Sequence, residues 1–312
     1  MIAAAEAGVV GAGRIGLSLA AALEASGDFG GVWVAGRRPG RPDFLEGRDE
    51  IAYGPREDRI RELSRRSDGE LLLFFCVPDG SIREAARSWG RGLAEAGLLP
   101  ATSAATPSGP ALRAAFHTSG TRPASELAPL GEATDGERPP VASFHPLCAV
   151  ARPEPDAFRG VTFGVEGEGE AAELAEELAS TIGRRALRVT PGEKARYHAG
   201  AVLASNLLVA CLGAGLGQVR EASGGAASAD DLLPLARSAL DQVERHGPAA
   251  GLTGPVVRGD LETVRSHLEA LDPAARSLYA SLTEELLRQA DVEPAVRRAV
   301  GEMVSGDGGS SA

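Results

Sequence analysis

Two groups of residues in this 312-residue chain have types and spacings that could do chemistry. The first is Gly11-Ala12-Gly13-Arg14-Ile15-Gly16, set between an apolar run ending at Val9-Val10 and a second apolar segment, Leu17 to Ala25, that keeps helical spacing until Gly27. A glycine turn leading from a strand into a helix is built to hold a dinucleotide. Gly11 makes the tight turn, Gly13 lets the backbone approach a pyrophosphate, and Gly16 allows helix and strand to touch. Arg14 and Ile15 open a helix whose N-terminus faces the phosphates. After the next short strand, Gly31 to Gly36, a protein that binds NAD usually offers an acid to the ribose. Here Arg37 and Arg38 offer two cations instead, a place for a 2′-phosphate that favours NADP as cofactor. The other reading of these arginines is that they face solvent.

The second group is Lys194-x-x-x-His198, two nitrogen bases one helical turn apart on one face, with Ser205 almost in line further along and Asn206 about a quarter turn around. Lys194 falls in a first helical turn, where the helix dipole disfavours a cation unless an anion or a useful shift in pKa compensates. Hydride addition to a carbonyl leaves an oxyanion that needs a proton and positive potential. Lys194 or His198 is then a candidate general acid and Asn206 a hydrogen-bonder to substrate. The alternative is a solvated lysine paired with Glu193 and a packed histidine. Three further strings, Cys76-Val77-Pro78-Asp79, His117-Thr118-Ser119-Gly120 and His145-Pro146-Leu147, stand at the ends of apolar runs. They belong at the carboxyl edge of a parallel sheet, where open α/β sheets bind ligands. Val77, Pro78, Asp79, His117 and Ser119 are candidates for the cofactor side of the cleft, and His145 for the substrate side.

The elements that must position these residues follow from the hydrophobic pattern. Glu70 to Val77 is a continuous apolar run stopped by Pro78, as expected of a strand buried on both faces. A helix is expected over about 81–96, a loop over 100–110, strands at Leu112–Phe116 and Val141–Phe144, and a short helix near 125–130. Strands at Val161–Val165 and Leu187–Val189 flank a helix at about 170–182. The segment 41–66 is polar and mixed. Alternating strands and helices predict a doubly wound α/β nucleotide-binding domain over 1–190. Beyond it the pattern is helical only, an α-helical domain over 191–304, with 305–312 a disordered tail. Thr190-Pro191-Gly192-Glu193 resembles a capping box that starts a long helix, and Asp260 and Asp272-Pro273 look like further helix starts.

Composition narrows the function classes. The chain has 32 basic and 43 acidic residues, a formal charge of −11, and only 4% aromatic residues, a poor match to a nucleic-acid partner. Three cysteines without a Cys-x-x-Cys pair suggest neither a disulfide framework nor a metal site and fit a cytoplasmic setting. The first six residues lack the basic start of a signal peptide. Residues 199–219 carry no charge, but Ser205, Asn206, Gln218 and four glycines interrupt them. The expectation is a helix buried by protein, with close packing and a subunit contact, rather than a membrane span.

Taken together these strings resemble a family of Rossmann-like, NADP-dependent oxidoreductases with a C-terminal domain of unknown function, DUF2520, in the wider group of 6-phosphogluconate dehydrogenase-like and pyrroline-carboxylate reductase-like enzymes. The strings that carry the resemblance are Gly11–Gly16, Val77–Asp79, His117–Gly120, Phe144–Leu147, Lys194–His198 with Ser205-Asn206, and Leu252–Asp260 with His267-Leu268. The resemblance implies a Rossmann-type domain followed by a helical domain that dimerises and closes the substrate cleft. β-Hydroxyacid dehydrogenases carry an asparagine four residues after the lysine, and this chain has His198 there. Arg258 and Asp260 are candidates for an anion clamp and its orienter, the alternative being a helix cap at Asp260 with an exposed Arg258. The implied activity is NADPH-dependent reduction of a small carboxylate-bearing carbonyl or imine substrate, for example a 2-keto acid such as ketopantoate, by a homodimer. The second possibility is a sensor or assembly protein that holds NADP without turnover.

Overall fold

The computed structural model describes residues 5–66, 68–99, 109–133 and 138–305. The chain divides into two compact units, Met1–Leu203 and Ala204–Ala312. Residues 100–108 of the expected loop and 306–312 of the expected tail lie outside the described residues.

The first unit is built on eight strands: β1 (Glu6–Val10), β2 (Gly31–Ala35), β3 (Ile51–Gly54), β4 (Glu70–Phe75), β5 (Ala111–His117), β6 (Val141–Pro146), β7 (Thr162–Gly167) and β8 (Arg185–Arg188). They form one sheet in the order β3-β2-β1-β4-β5-β6-β7-β8. Every neighbouring pair is parallel except β6 and β7, which run antiparallel. Helices α1 (Arg14–Ser26) and α4 (Gly169–Ile182) cover one face, and α2 (Arg56–Leu63) and α3 (Ile82–Glu95) the other. The continuous apolar run of β4 follows from this layering. Leu72 and Phe74 point into the α1–α4 core and Leu71, Leu73 and Phe75 into the α2–α3 core, all without exposure. Each such side chain contributes about 1.5–3 kcal/mol relative to leaving it in water. A row of rings ties the strands together under the site, with Phe74 stacked on Phe116 at 5.0 Å and Phe144 on Phe163 at 4.3 Å.

The expected α/β architecture is present, with one pair of elements unforeseen. The polar segment 41–66 contains β3 and α2, whose buried residues are few: Ile51 and Gly54 on the strand, and Ile60 and Leu63 on the helix. The expected helix start at 190–193 is corrected. Gly192 has φ 85°, outside helical backbone, and the Glu193 amide donates to Thr190 O in a turn, so α5 (Lys194–Leu203) begins at Lys194. The change to an all-helical pattern falls where expected, but α5 lies in the first compact unit, which runs on to Leu203.

The second unit holds α6 (Asn206–Ala222), α7 (Ala229–Ala250), α8 (Pro255–Arg258), α9 (Leu261–Ala270), α10 (Pro273–Gln289) and α11 (Pro294–Ser305). Asp260 and Asp272 cap α9 and α10 as their positions predict, accepting from Thr263 N and from Ala274 N and Ala275 N. Its core is small, centred on Val264, Val300, Val256 and Leu287. The expectation that protein buries residues 199–219 is not met within one copy of the chain. Leu203, Val209 and Leu207 are 64%, 68% and 49% exposed, and α6 has no buried residue. Lys194–Ala222 is the one stretch among the described residues long and apolar enough to cross a membrane by length and composition, with mean hydropathy 1.9. It is interrupted at Ala204-Ser205, between α5 and α6.

Candidate active site

The carboxyl edge of β1, β2 and β4 opens into a cavity of about 1340 Å³. The glycine turn forms its floor, and the three glycines differ in what they do there. Gly11 has φ 115°, a left-handed backbone that favours glycine, and a side chain on it would also run into the Cys76 carbonyl. A side chain on Gly16 would collide with Gly11 O, so the start of α1 rests directly on the turn. A side chain on Gly13, the N-cap of α1, would meet no other part of the fold within 4 Å. The turn is thus tight where the fold needs contact and open where a phosphate would approach. Arg37 and Arg38 follow β2 on the rim of the same cavity, both exposed. Neither guanidinium has a hydrogen-bond or acidic partner among the described residues. The nearby Arg41, by contrast, is engaged in holding the loop carbonyls of Leu45, Arg48 and Ile51. These residues fit a phosphorylated dinucleotide: an open glycine cradle at a helix N-terminus with free cations on the ribose side.

Further along the same sheet edge, β5, β6, β7 and α5 assemble a polar cluster inside the first unit. Lys194 is 3% exposed, and its Nζ donates to Ser119 O and to Ser143 Oγ, each at 2.8 Å. Burial pulls its pKa down to about 8, against the pull of Glu166 and Asp79 in the other direction. Glu166, on β7 and also buried, accepts from Ala124 N at 2.6 Å, and its own amide donates to Ser143 Oγ at 3.3 Å. The lysine is therefore neither solvated nor paired with Glu193, which bridges to Arg196 instead.

The histidines divide by role. His117, at the end of β5, is fully buried, and its Nε2 bonds Pro123 O at 2.9 Å while its Nδ1 accepts from Ser119 N at 3.2 Å. Burial lowers its pKa to about 4, so it is a neutral brace for the loop after β5. Ser119 Oγ completes that brace by accepting from the amides of Thr121 and Arg122. Thr121 Oγ1 in turn donates to Asp79, which joins this loop to the one after β4, where Val77 and Pro78 line the cavity. His145 and His198 are half-buried with ring centroids 5.7 Å apart. Burial, then the charge of Lys194, lowers the His145 pKa to about 3. Nδ1 of His145 is hydrogen-bonded to Tyr197 Oη at 2.9 Å. A side chain at Gly120 would meet the His198 ring and sit 3.0 Å from His145 Nε2, so the two imidazoles converge on that glycine.

Residues 161–286 match the family described as Domain of unknown function (DUF2520). No curated protein matches the chain in sequence. Among solved structures, a candidate NADP oxidoreductase from Bacteroides fragilis is similar with a TM-score of 0.63 and 21% identity, over 92% of this chain and 99% of that one. Protein TM1727 from Thermotoga maritima is similar with a TM-score of 0.62 and 21% identity, over 94% and 99%. An NADH-preferring ketol-acid reductoisomerase from an uncultured archean follows at 0.54 and 14%, over 97% and 83%. These likenesses establish a shared Rossmann-like fold.

The DUF2520 match begins beside β7 and includes Glu166, Lys194, Tyr197 and His198 from the first unit. The remaining predicted residues, Asn206, Arg258 and Asp260, belong to the second unit. Asn206 opens α6 and is exposed, with its Oδ1 accepting from Ser205 Oγ. Both oxygens of Asp260 are engaged by Thr263, so this residue is the helix cap of the alternative reading, and Arg258 is exposed. Sequence reasoning missed Ser143, Glu166 and Tyr197 as members of the site. The signal for two of them was present: alternation along β6 puts Ser143 and His145 on one face, and they pair across the sheet with Glu166 and Gly164.

Proposed function

We propose that this chain is an NADPH-dependent oxidoreductase acting on a small carbonyl or imine substrate that bears a carboxylate, with a 2-keto acid such as ketopantoate as the model compound. The single observation that carries this reading is the placement of a buried ammonium, Lys194, and two convergent imidazoles on the sheet edge that also bears an open glycine cradle and two unpartnered arginines. The solved structures of like fold described as an NADP oxidoreductase and an NADH-preferring reductoisomerase support a nicotinamide-dependent oxidoreductase. Bound NADPH would supply the hydride. Arg37 and Arg38 would meet its 2′-phosphate, Gly11, Gly13, Gly16 and the N-terminus of α1 its pyrophosphate, and Val77 and Pro78 the wall beside it. On the substrate side Lys194 keeps positive potential where an oxyanion develops and, with a pKa near 8, holds a proton at neutral pH that it can release. His145 and His198 face the substrate oxygen.

The test has two stages. Melting with NADPH, NADH and no ligand is expected to show the largest rise with NADPH. A larger rise with NADH removes the arginine argument, and no rise with either removes dinucleotide binding. A panel of 2-keto acids and cyclic imines is then followed by loss of NADPH absorbance. Binding without turnover across the panel leaves the sensor reading in place of the enzyme.

The same reading takes the chain to be a cytoplasmic homodimer with no membrane or nucleic-acid partner. The exposed apolar residues of α6, Leu207, Leu208 and Val209, are the support, because a patch of this kind needs a cover. Sedimentation of the full chain is expected to give a dimer, and Val209→Asp a monomer. A monomeric wild type, or one that floats with lipid vesicles, overturns it.

A further inference from the structure

The reductase reading gives Tyr197 no task, yet the site is shaped around it. The phenol lies against β7 at Gly164, where any side chain would collide with its ring and oxygen. Burial raises the pKa of the phenol, against a weaker opposing influence of the Gly164 backbone, so Tyr197 keeps its proton. The hydroxyl proton then needs an acceptor. The one acceptor within hydrogen-bonding distance among the described residues is Nδ1 of His145, at 2.9 Å. If that nitrogen carried a proton instead, the phenolic hydrogen would have no acceptor among the described residues. Nε2 of His145 has no hydrogen-bond partner among the described residues and points to the space in front of Gly120, beside His198.

We propose that Tyr197 is a positioning residue. Its hydroxyl donates to Nδ1 of His145 and so fixes the imidazole as the tautomer with its proton on Nε2, which presents an N–H rather than a lone pair to the substrate oxygen. The inference rests on the reductase reading for the identity of that oxygen, but not for the tautomer. It gives His145 a different task from a general acid. As hydride adds to the carbonyl carbon, the π electrons move onto oxygen, and His145 Nε2–H holds that oxygen by a hydrogen bond without giving up its proton. The proton that completes the alcohol comes from Lys194 or His198. The groups around His145 fit this division. Lys194, His198 and His117 all oppose a positive charge on it, and Asp79, exposed, is the one nearby group that favours it. A neutral donor braced on its far side is the more rigid device for a charge that develops late.

The tautomer can be read directly, without turnover, from long-range proton–nitrogen correlations of the full chain labelled on histidine, with the His145 signals assigned by their loss in His145→Gln. The expected wild-type spectrum has Nε2 protonated and Nδ1 bare, and Tyr197→Phe is expected to mix the two tautomers. A protonated Nδ1 in the wild type, or a Tyr197→Phe spectrum identical to it, overturns the proposal. In kinetics, His145→Ala is expected to lower kcat by about 100-fold or more. Tyr197→Phe should lower it by about tenfold, because the tautomer is released rather than inverted, with KM for NADPH unchanged. His145→Gln, which keeps an N–H donor at the Nε2 position, is expected to recover part of the loss that His145→Asn does not. Equal activity of Tyr197→Phe and wild type also overturns the proposal. Absence of turnover in every variant, with the expected spectra, refutes the reductase reading instead, so the two failures are distinguishable.

Discussion

The two halves of one sheet edge solve different problems. At β1, β2 and β4 the site is made of backbone: a turn, a helix start, and room. At β5, β6 and β7 it is made of side chains that meet across long sequence separations, Lys194 with Ser119 and Ser143, Glu166 with Ala124, His145 with Tyr197. A backbone site must leave space and loses its function when the space is filled. A buried polar site must instead satisfy every donor and acceptor, and removing one partner leaves the others uncompensated.

The sharpest way to break this comparison is inside the glycine turn itself. Gly16→Val places side-chain atoms on Gly11 O and is expected to destabilise by at least about 3 kcal/mol, read by urea midpoint, with nucleotide binding lost along with the fold. Next comes Lys194→Ala, which leaves Ser119 O and Ser143 Oγ without their donor and is expected to cost about 2–3 kcal/mol while the NADPH-induced rise in Tm persists. The buried histidines give a third, pH-dependent difference. His117 and His145 titrate near 4 and 3 in the folded state against 6.5 for an ordinary histidine. The unfolded chain then binds more protons between pH 6.5 and those values. Their stabilisation is complete above 6.5 and is lost as pH falls toward 4 and then 3, by up to about 1.4 kcal/mol per pH unit for each titrating ring. Urea midpoints between pH 7.5 and 5 should show this slope, and His145→Gln should flatten it. The smallest effect on stability belongs to the open positions. Gly13→Thr, at an N-cap where an added Cβ has open space, and Arg37→Ala with Arg38→Ala on the exposed rim are expected to shift stability by no more than about 0.5 kcal/mol. Gly13→Thr should nevertheless abolish the NADPH-induced rise in Tm, and the arginine pair should remove the preference over NADH. A large loss of stability in Gly13→Thr would erase the distinction between the halves.

The same difference decides how much could be read in advance. The glycine turn, the doubly buried β4 and the caps at Asp260 and Asp272 each depend on a few consecutive residues, and each stands where its residues place it. The strand and helix within 41–66 escaped because so little of them is buried that no period emerges. Gly192 turned an apparent capping box into a turn through a backbone angle that residue types do not specify. Lys194 and His198 stand out by spacing, but what makes the lysine unusual is Ser119, Ser143 and Glu166, brought to it by strand pairing. Helical spacing also puts Tyr197, three residues after Lys194, near the same face, but its partner His145 lies on another element that spacing does not reveal.

The boundary at Leu203 has a consequence for timing. Lys194, Tyr197 and His198 stand on a helix that belongs to the same compact unit as the glycine turn, so the span between the nucleotide cradle and the proton-bearing groups is set by strand register. On the proposed reading, reduction then needs no closure of one body upon another to bring acid and hydride into range. On that reading the second unit, which holds Asn206 and Arg258, supplies none of the proton-bearing groups.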